Sequence, residues 1–252
     1  SRIQLTHLAI QGVDRGILLE SNQNVTVRGV VISDVSTGVS AESTKGTTIR
    51  NSAFWRTGWS VNLSNTRTSV MENLTFALST LAGIRLTGTQ TDTMQNNIFI
   101  PAEGAYAYSI GTSTSLLKNA TMDYNMYDFG RAGSGFYADT TTTNILRRWQ
   151  LEMGKDYRSA TNSADLADID SAGDFHPQSE YGRWTTNGWV QDGITSWAVD
   201  HGNPAQDFGQ EPANNGGRVN IGMYGNTVQA SMGSTNVYYE VRTLNQEGLK
   251  IT

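Results

Sequence analysis

Hydrophobic and polar positions recur along the first half of the chain with a period of about 22 residues. The segment LTHLAIQGVDRGILLES, which starts at Leu5, aligns with VRGVVISDVSTGVSAES, which starts at Val27. Three further units, IRNSAF, MENLTF and MQNNIF, start at Ile49, Met71 and Met94. Because apolar and polar residues alternate over short runs within each unit, the pattern predicts two or three short β-strands per unit.

Units of this length bury their apolar faces only when they stack on one another. Each strand then pairs in parallel with the equivalent strand of the next unit, and parallel connections favour right-handed winding. The pattern therefore predicts an all-β fold, a right-handed parallel β-helix that forms a single-stranded solenoid with about 22 residues per coil. Asn51, Asn73 and Asn96 share one register position, where asparagine suits a left-handed bend and is expected to hydrogen-bond to the next coil.

The period ends after the fifth unit, and the remaining sequence predicts one short helix and an irregular C-terminal cap. Residues 144–156, NILRRWQLEMGKD, combine an asparagine N-cap, one apolar stripe and a glycine near the end, which predicts a helix packed on the outer wall of the solenoid. Residues 214–227, NNGGRVNIGMYGNT, are predicted to stop the rod. Their glycines permit close backbone approach, and Val219, Ile221 and Met223 are expected to add a final strand to the last coil.

Three segments follow from this pattern. We predict regular coils over residues 1–130, and the last coils, the helix and the cap of the same domain over residues 131–231. Residues 232–252 are predicted to be a terminal strand or the start of a following module, because part of this stretch alternates in polarity. Leu5 enters the repeat without a capping element, so we expect the chain to be a segment of a longer protein with other modules.

Composition and charge narrow the range of partners. Charged residues make up 16% of the 252 residues, the net charge is -5, and no cluster of Lys and Arg is present, so nucleic acid is not an expected partner. No apolar run approaches the ~20 residues of a membrane span. The chain has no cysteine, which excludes disulfides and thiolate metal sites.

Segments beyond the coils resemble those of a known group of proteins. TMDYNMYDF at residues 121–129, the Trp-containing helix at 144–156 and GDFHPQSEYGRW at 173–184 resemble the closing segments of secreted bacterial right-handed parallel β-helix repeat proteins of the pectin-lyase-like superfold. The resemblance extends from Leu5 to Ser231 and corresponds to the C-terminal portion of such a protein. It implies an extracellular or cell-surface location but no single activity, since this superfold hosts lyases, hydrolases, epimerases, adhesins and binding modules.

Charged residues in register on the coil faces are the candidates for catalysis. Glu42 repeats a glutamate of the preceding coil, and Arg28 and Arg50 share a position that Glu72 occupies one coil further on. A lyase that acts on uronic acids needs a charge-neutralising cation and a base, and a glycosidase needs two opposed carboxylates, so these four residues are the catalytic candidates. The alternative is a ladder of solvated, opposite charges that meet across coils.

Two tryptophans of the third coil, Trp55 and Trp59, are candidates for substrate binding. Trp55 follows the inward-facing Phe54 and should point outward, where an indole ring on a flat sheet face can stack on a sugar ring. The alternative places this tryptophan beneath a loop.

The sequence predicts neither a metal site nor a cofactor site. His7, His176 and His201 lack the spacing of metal ligands. Acidic residues recur between Asp165 and Asp174, but the stretch does not supply the D-x-D-x-D-G pattern and distal Glu of an EF-hand loop. A structural Ca²⁺ site elsewhere in the chain is an alternative that the sequence leaves open.

Three functional hypotheses follow. The first is an extracellular module of a larger secreted or cell-surface protein, structural or polysaccharide-binding and without catalytic activity. The second is a polysaccharide lyase or glycoside hydrolase that acts on an acidic glycan in a groove along one face of the coils. The third is a subunit that associates end to end with its own copies to form a fibre.

Overall fold

The computed structural model describes residues 3–88, 92–111 and 118–234. Parallel strands dominate this part of the chain, which also contains one short α-helix. In chain order the elements are β1 (Ile3–Thr6), β2 (Ala9–Gln11), β3 (Arg15–Glu20), β4 (Val25–Arg28), β5 (Val31–Ser33), β6 (Thr37–Glu42), β7 (Thr48–Trp55), β8 (Trp59–Ser64), β9 (Val70–Ser79), β10 (Ala82–Thr87), β11 (Thr93–Gln95), β12 (Ile98–Pro101), β13 (Tyr106–Ile110), β14 (Thr121–Asp123), β15 (Met126–Tyr127), β16 (Gly135–Ala138), β17 (Thr141–Thr143), α1 (Leu146–Met153), β18 (Ala160–Thr161), β19 (Leu166–Asp168), β20 (Asp174–Pro177), β21 (Arg183–Thr185) and β22 (Gly188–Val190).

Most strands belong to two long sheets that wind as one solenoid. Sheet A has 11 strands along the path β1-β4-β7-β9-β12-β15-β18, with β2, β5, β11 and β14 beside it. Sheet B has 7 strands in the order β3-β6-β8-β10-β13-β16-β17. Ile10 pairs with Ile32 and Ile17 with Val39, as the alignment of the sequence units predicts. The predicted fold class, a parallel β-helix with one short helix, is confirmed.

Coil length is constant at first and then grows. Equivalent positions that hydrogen-bond are 22 residues apart between Val30 and Ser52, but 28 residues apart between Asn97 and Asn125. Strand β11 nonetheless still pairs in parallel with β14. The sequence period therefore ends before the stacking of strands does.

A row of asparagines occupies one bend of successive coils. Asn51, Asn73 and Asn96 have φ values of 47°, 52° and 57°, so the predicted left-handed bend is confirmed. His7 and Gly29 hold the same position in the first two coils and also have positive φ. Asparagine fits here because its short polar side chain tolerates the left-handed region better than most residues do.

The interior of the solenoid contains a stack of aromatic rings that runs from coil to coil. Phe54, Phe76, Phe99 and Tyr127 follow one another with ring centroids 5.3, 4.7 and 5.3 Å apart, and each pair is nearly parallel. All four side chains are fully buried. Stacked aromatic pairs add to the burial of apolar surface, so this column stabilises the register of neighbouring coils.

Helix α1 closes the C-terminal end of the core. Strand β17 pairs antiparallel with β16 and so ends the parallel stack of sheet B. The helix follows, and its buried Trp149 stacks on Phe136 with ring centroids 4.5 Å apart. The Trp149 indole N–H donates to buried Asp156, which also accepts from the Tyr127 hydroxyl. The prediction that this helix packs on the outer wall is wrong, because Trp149 extends the aromatic packing of the core.

Residues 198–226, here named the strap, run along the outer side of sheet A. Ile221 and Met223 pack on small and branched apolar side chains that β7, β9 and β12 direct away from the solenoid interior. The strap, all of which is described, contains no strand. The prediction that Val219, Ile221 and Met223 stop the rod as a final strand is therefore wrong, because an apolar outer face of sheet A takes up this segment.

The asparagine row holds the strap in place. Asn51 donates its side-chain amide to two backbone carbonyls of the strap at 2.8 and 3.1 Å, and Asn73 does the same at 3.0 and 3.3 Å. The Asn96 side-chain oxygen accepts the backbone N–H of Asn203 at 2.8 Å. These bonds replace the expected bonds to the next coil, so three successive coils bind one outer segment.

The predicted segment boundaries at residues 130 and 231 stay predictions. Sheet A continues beyond the first of them, since β18 pairs in parallel with β15. Of the predicted segment 232–252, residues 235–252 lie outside the described part of the chain.

Candidate functional site

Three of the four catalytic candidates form one ladder on sheet A. Arg28 lies beside Arg50, and Arg50 beside Glu72, on the neighbouring strands β4, β7 and β9. The Nη2 atom of Arg50 is 2.7 Å from the Oε2 atom of Glu72. Glu42 lies on β6 of sheet B, next to Glu20 on β3, so it belongs to a different face of the solenoid.

Glu72 is engaged in bonds that connect the coils to the strap. This carboxylate is buried and, besides Arg50, accepts hydrogen bonds from Gln95 at 2.6 Å and from Gln206 of the strap at 3.2 Å. Three donors that converge on one carboxylate fix its position. Glu72 therefore links the coils to the strap, and its carboxylate is bound by side chains of the protein and not directed at a substrate position.

Two buried acids lie within the strap. Burial raises the pKa of Glu211 to about 7, although the backbone N–H groups of Asn220 and Asn226 donate to its Oε1 atom. Burial also raises the pKa of Asp200 to about 6, against the opposing effect of Arg218. Within the described residues, Glu211 Oε2 and Asp200 Oδ1 are buried without a hydrogen-bond partner. Both carboxyl groups are therefore stabilised in their protonated form.

We expect the stability of the protein to fall as the pH rises from 5 to 8. The folded-state pKa values of Glu211 and Asp200 lie above the ordinary values of 4.5 and 3.8, so the stabilisation is complete below those values and is lost as the pH rises through about 7 and 6. For Glu211 the loss is on the order of 3 kcal/mol. Thermal unfolding followed by circular dichroism at each pH measures it.

The matched control for this titration is Glu211→Gln, which keeps the shape of the side chain and an oxygen that accepts the two backbone N–H groups. We expect its unfolding temperature to vary less with pH than that of the wild type. A variant that keeps the full pH dependence would assign the titration to other groups.

Trp55 lies beneath the loop that connects β19 and β20. Its indole N–H donates to the carbonyl of Ile169 at 2.8 Å, and its ring packs edge-on against Phe175 at 6.2 Å. The guanidinium carbon of Arg56 lies 3.5 Å from the centroid of the Trp55 ring. Because its N–H and one ring face are occupied, this geometry corresponds to the alternative position under a loop.

Trp59 lies on the outer side of sheet B at the start of β8. Arg85 of β10 places its guanidinium carbon 4.9 Å from the Trp59 ring centroid. Tyr106 of β13 is two strands away, since Ala82 pairs with both Trp59 and Tyr106. The Tyr106 ring centroid is 5.7 Å from that of Tyr137 on β16. We name Trp59, Arg85, Tyr106 and Tyr137, all half-buried, the aromatic face.

Of the four residues of the aromatic face, Trp59 was predicted from the sequence and the other three were not. Arg85 gave a usable signal, because it occupies the register position of Asn62 in the preceding coil. Tyr106 and Tyr137 gave none, because coil length changes after β10 and a fixed period no longer aligns these positions. Their neighbourhood follows only from the observed strand pairing.

Within residues 3–88, 92–111 and 118–234, no group of three or more His, Asp or Glu side chains is placed to hold a metal ion. His176 stacks on Tyr224 with ring centroids 3.6 Å apart and lies 2.5 Å from Asp174. His201 stacks on Trp197 at 4.4 Å. These histidines serve separate packing contacts and do not converge on one point.

Comparison with known proteins gives a match to a protein family. The family model described as "NosD: Periplasmic copper-binding protein (NosD)" matches residues 1–150, which extend from the first coil into α1. No curated protein matches the chain. None of the helical structure in the described ranges is long and apolar enough to cross a membrane. Since the family match covers more than half of the 252 residues and includes all the regular coils, the chain belongs to the NosD family.

Proposed function

We propose that this chain is an exported β-helix module, located in the periplasm or outside the cell, that binds polysaccharide without acting on it. The aromatic face on sheet B carries the proposal. Its rings lie on the side of the solenoid that the strap does not occupy, and Trp59, Tyr106 and Tyr137 remain half-buried there. The family description, which names a periplasmic protein, supports the location.

The spacing of the aromatic face suits an extended polymer. Strands of one sheet lie ~4.8 Å apart, so Trp59 and Tyr106, two strands apart, are separated by roughly 10 Å along the solenoid axis. A polysaccharide that runs parallel to this axis meets the two rings in succession. Aromatic rings bind the apolar faces of sugars, and Arg85 between them offers donors for hydroxyl or carboxylate groups.

Polar side chains beside the rings complete the chemistry of this face. Ser40 and Asn62 lie in register with Arg85 on β6 and β8, and both are half-buried. Hydroxyl and amide groups donate and accept hydrogen bonds, as sugar hydroxyls require. Small ligands are commonly bound by a largely apolar surface that contains a few placed polar groups, and the aromatic face has this composition.

Two geometric observations favour binding over catalysis. Glu42 lies on sheet B, whereas Arg28, Arg50 and Glu72 lie on sheet A, so the candidates do not surround one substrate position. A general acid or base must come within hydrogen-bond reach of the reacting group. Glu72 is instead held by donors of the coils and the strap.

The copper-binding activity in the family description does not fit the residues that the structure describes. A copper site draws on convergent imidazole, thiolate or thioether ligands. The chain has no cysteine, and His176 and His201 are engaged in separate ring stacks. Of the methionines, Met71, Met94 and Met122 are buried in the apolar core of the solenoid, in a cluster that contains neither of these histidines. We therefore derive no function through copper.

Trp59→Ala is expected to weaken polysaccharide binding about tenfold or more, because loss of one stacking ring removes about 1.4 kcal/mol. Tyr106→Ala is expected to act in the same direction. Isothermal titration with a panel of neutral and uronate polysaccharides measures the affinity. Trp189→Ala, which removes an exposed tryptophan from the hairpin of β21 and β22, is the matched control and should bind as the wild type does.

The same panel distinguishes binding from catalysis. Unsaturated products absorb in the ultraviolet, so a rise in absorbance on incubation with uronate polymers would establish a lyase and overturn the non-catalytic proposal. Unchanged binding by both Trp59→Ala and Tyr106→Ala would remove the aromatic face as the binding surface.

A further inference from the structure

A shallow cleft of about 450 Å³ lies at the corner between sheets A and B, next to the aromatic face. The cleft is widely open to solvent, so a ligand seated in it keeps one side exposed. Gly58 forms part of its wall and immediately precedes Trp59, and Leu81 forms another part and immediately precedes Ala82, the partner of Trp59. The cleft therefore opens beside the first ring of the aromatic face.

A fixed pair of charges forms the polar wall of this cleft. The Nε and Nη2 atoms of Arg56 donate to the two carboxylate oxygens of Asp34 at 2.7 and 2.8 Å, and Gln11 donates to the same carboxylate at 2.9 Å. The hydrogen bond from Arg56 holds the pKa of Asp34 below its ordinary value. Bidentate pairs of this kind fix geometry as well as charge.

The Trp55 side chain of sheet A packs against this wall from behind. The Arg56 guanidinium lies on the Trp55 ring at 3.5 Å, and Trp55 is itself held by its hydrogen bond to Ile169. A side chain that is ordered before binding loses less conformational entropy when a ligand arrives. Trp55, predicted as a sugar platform, thus supports the cleft from behind.

The remaining lining suits one sugar residue. Leu81 is 45% exposed and offers an apolar surface, and Ser36 adds a hydroxyl group to the lining. The Thr80 hydroxyl donates to the carbonyl of Thr57 at 3.4 Å, which leaves its oxygen to accept a hydrogen bond from a ligand. Asp34 accepts and Arg56 donates, so neighbouring sugar hydroxyls find both partners on one wall. Because the two charges cancel, the cleft provides no net positive charge to compensate a uronate carboxylate, and a neutral sugar fits better.

We infer that this corner cleft is a subsite for a neutral side-branch residue of the polysaccharide bound on the aromatic face. The inference rests on the proposed function. The main polymer runs from Trp59 towards Tyr106 along the solenoid axis, whereas the cleft lies to the side of that line, around the corner at Gly58 and Leu81. A branch attached near Trp59 reaches it without bending the main chain.

The test compares branched polysaccharides with their debranched backbones, using galactomannan and arabinoxylan as probes in isothermal titration. The wild type is expected to bind at least one branched form about tenfold more tightly than its backbone. Arg56→Lys, which loses the bidentate pair, and Thr80→Val, which loses the hydroxyl, are expected to bind both forms at backbone affinity. Arg67→Lys, at an exposed position of another corner, is the matched control and should keep the preference.

The outcomes separate the subsite from the face. Equal affinity of the wild type for branched and debranched forms, with binding still lost in Trp59→Ala, overturns the subsite and leaves the aromatic face. Retention of the branch preference by both cleft variants also overturns the subsite. Absence of binding to every probe overturns the proposed function and the subsite together. Circular dichroism and unfolding temperatures that match the wild type establish that the cleft variants are folded.

Discussion

Gly225→Ala is expected to release the strap from sheet A. A Cβ atom at this position would lie 2.1 Å from the side-chain nitrogen of Asn73 and 2.2 Å from the backbone oxygen of Asn220. The amide of Asn73 could rotate away, but only by giving up its bonds to the strap, and the backbone oxygen cannot move alone. Overpacking together with the loss of these hydrogen bonds costs roughly 3 kcal/mol.

Limited proteolysis measures this release directly. Cleavage within residues 198–226 should accelerate about a hundredfold, since roughly 3 kcal/mol of local stability corresponds to that factor when opening is fast. The coils should remain as a protected fragment, because they pair through strands that the strap does not supply. A Gly225→Ala protein that is cleaved at the rate of the wild type would show that the strap is not held at this point.

Gly193→Ala is the matched control for this substitution. Gly193 lies in the same C-terminal region, does not have a positive φ, and has no neighbouring atom within 4 Å of an added Cβ. The control protein should therefore resist the protease as the wild type does.

Trp149→Ala is expected to open the C-terminal end of the core and lower the free energy of unfolding by about 4 kcal/mol. The change removes the ring that stacks on Phe136 and Tyr108 and leaves a cavity beneath α1. It also removes the indole donor of Asp156, whose pKa burial already raises. A buried acceptor that loses a partner adds to the cost. Urea denaturation followed by circular dichroism measures the loss.

Leu151→Ala, on the same helix, is the matched control for Trp149→Ala. This leucine is 65% exposed, so its truncation should change stability by less than about 0.5 kcal/mol. If Trp149→Ala is no more destabilising than Leu151→Ala, then α1 does not close the core.

The coils could be predicted from the sequence because their information is repeated. A residue such as Ile32 is specified three times, by its own alternation and by the equivalent residues one coil before and after it. Left-handed bends could be predicted for the same reason, since Asn51 and Asn73 recur in register. Local pattern and global fold agree in this part of the chain, which is the condition for a reliable inference.

The positions of α1 and the strap could not be predicted in the same way, because each occurs once. An apolar stripe such as that around Trp149 shows which side of a helix is buried but not against which surface. A strand that is covered on both sides usually reads as a continuous apolar run. Strand β9, from Val70 to Ser79, is buried on both faces along most of its length, but its sequence includes Glu72 and Asn73, so it gave no such signal of an outer layer over sheet A.

The candidate site likewise contains residues that could be predicted from the repeat and residues that could not. Trp59 could be found because it is a conspicuous residue within a regular coil, whereas Tyr106 and Tyr137 lie where coil length varies. Asp34 and Arg56 are 22 residues apart, so the register of the coils places the two side chains of this ion pair next to each other. That the pair forms one wall of a cleft depends on how Trp55 and Leu81 pack around it.

The strap has a consequence for how the solenoid opens. In a stack of coils each unit contacts only its neighbours, so such a structure tends to fray from its ends one coil at a time. Asn51, Asn73 and Asn96 belong to three successive coils, yet all bind the same segment. Loss of any one of these coils disturbs the segment that the other two hold. The strap thus makes three coils behave as a single cooperative unit within an otherwise nearest-neighbour array.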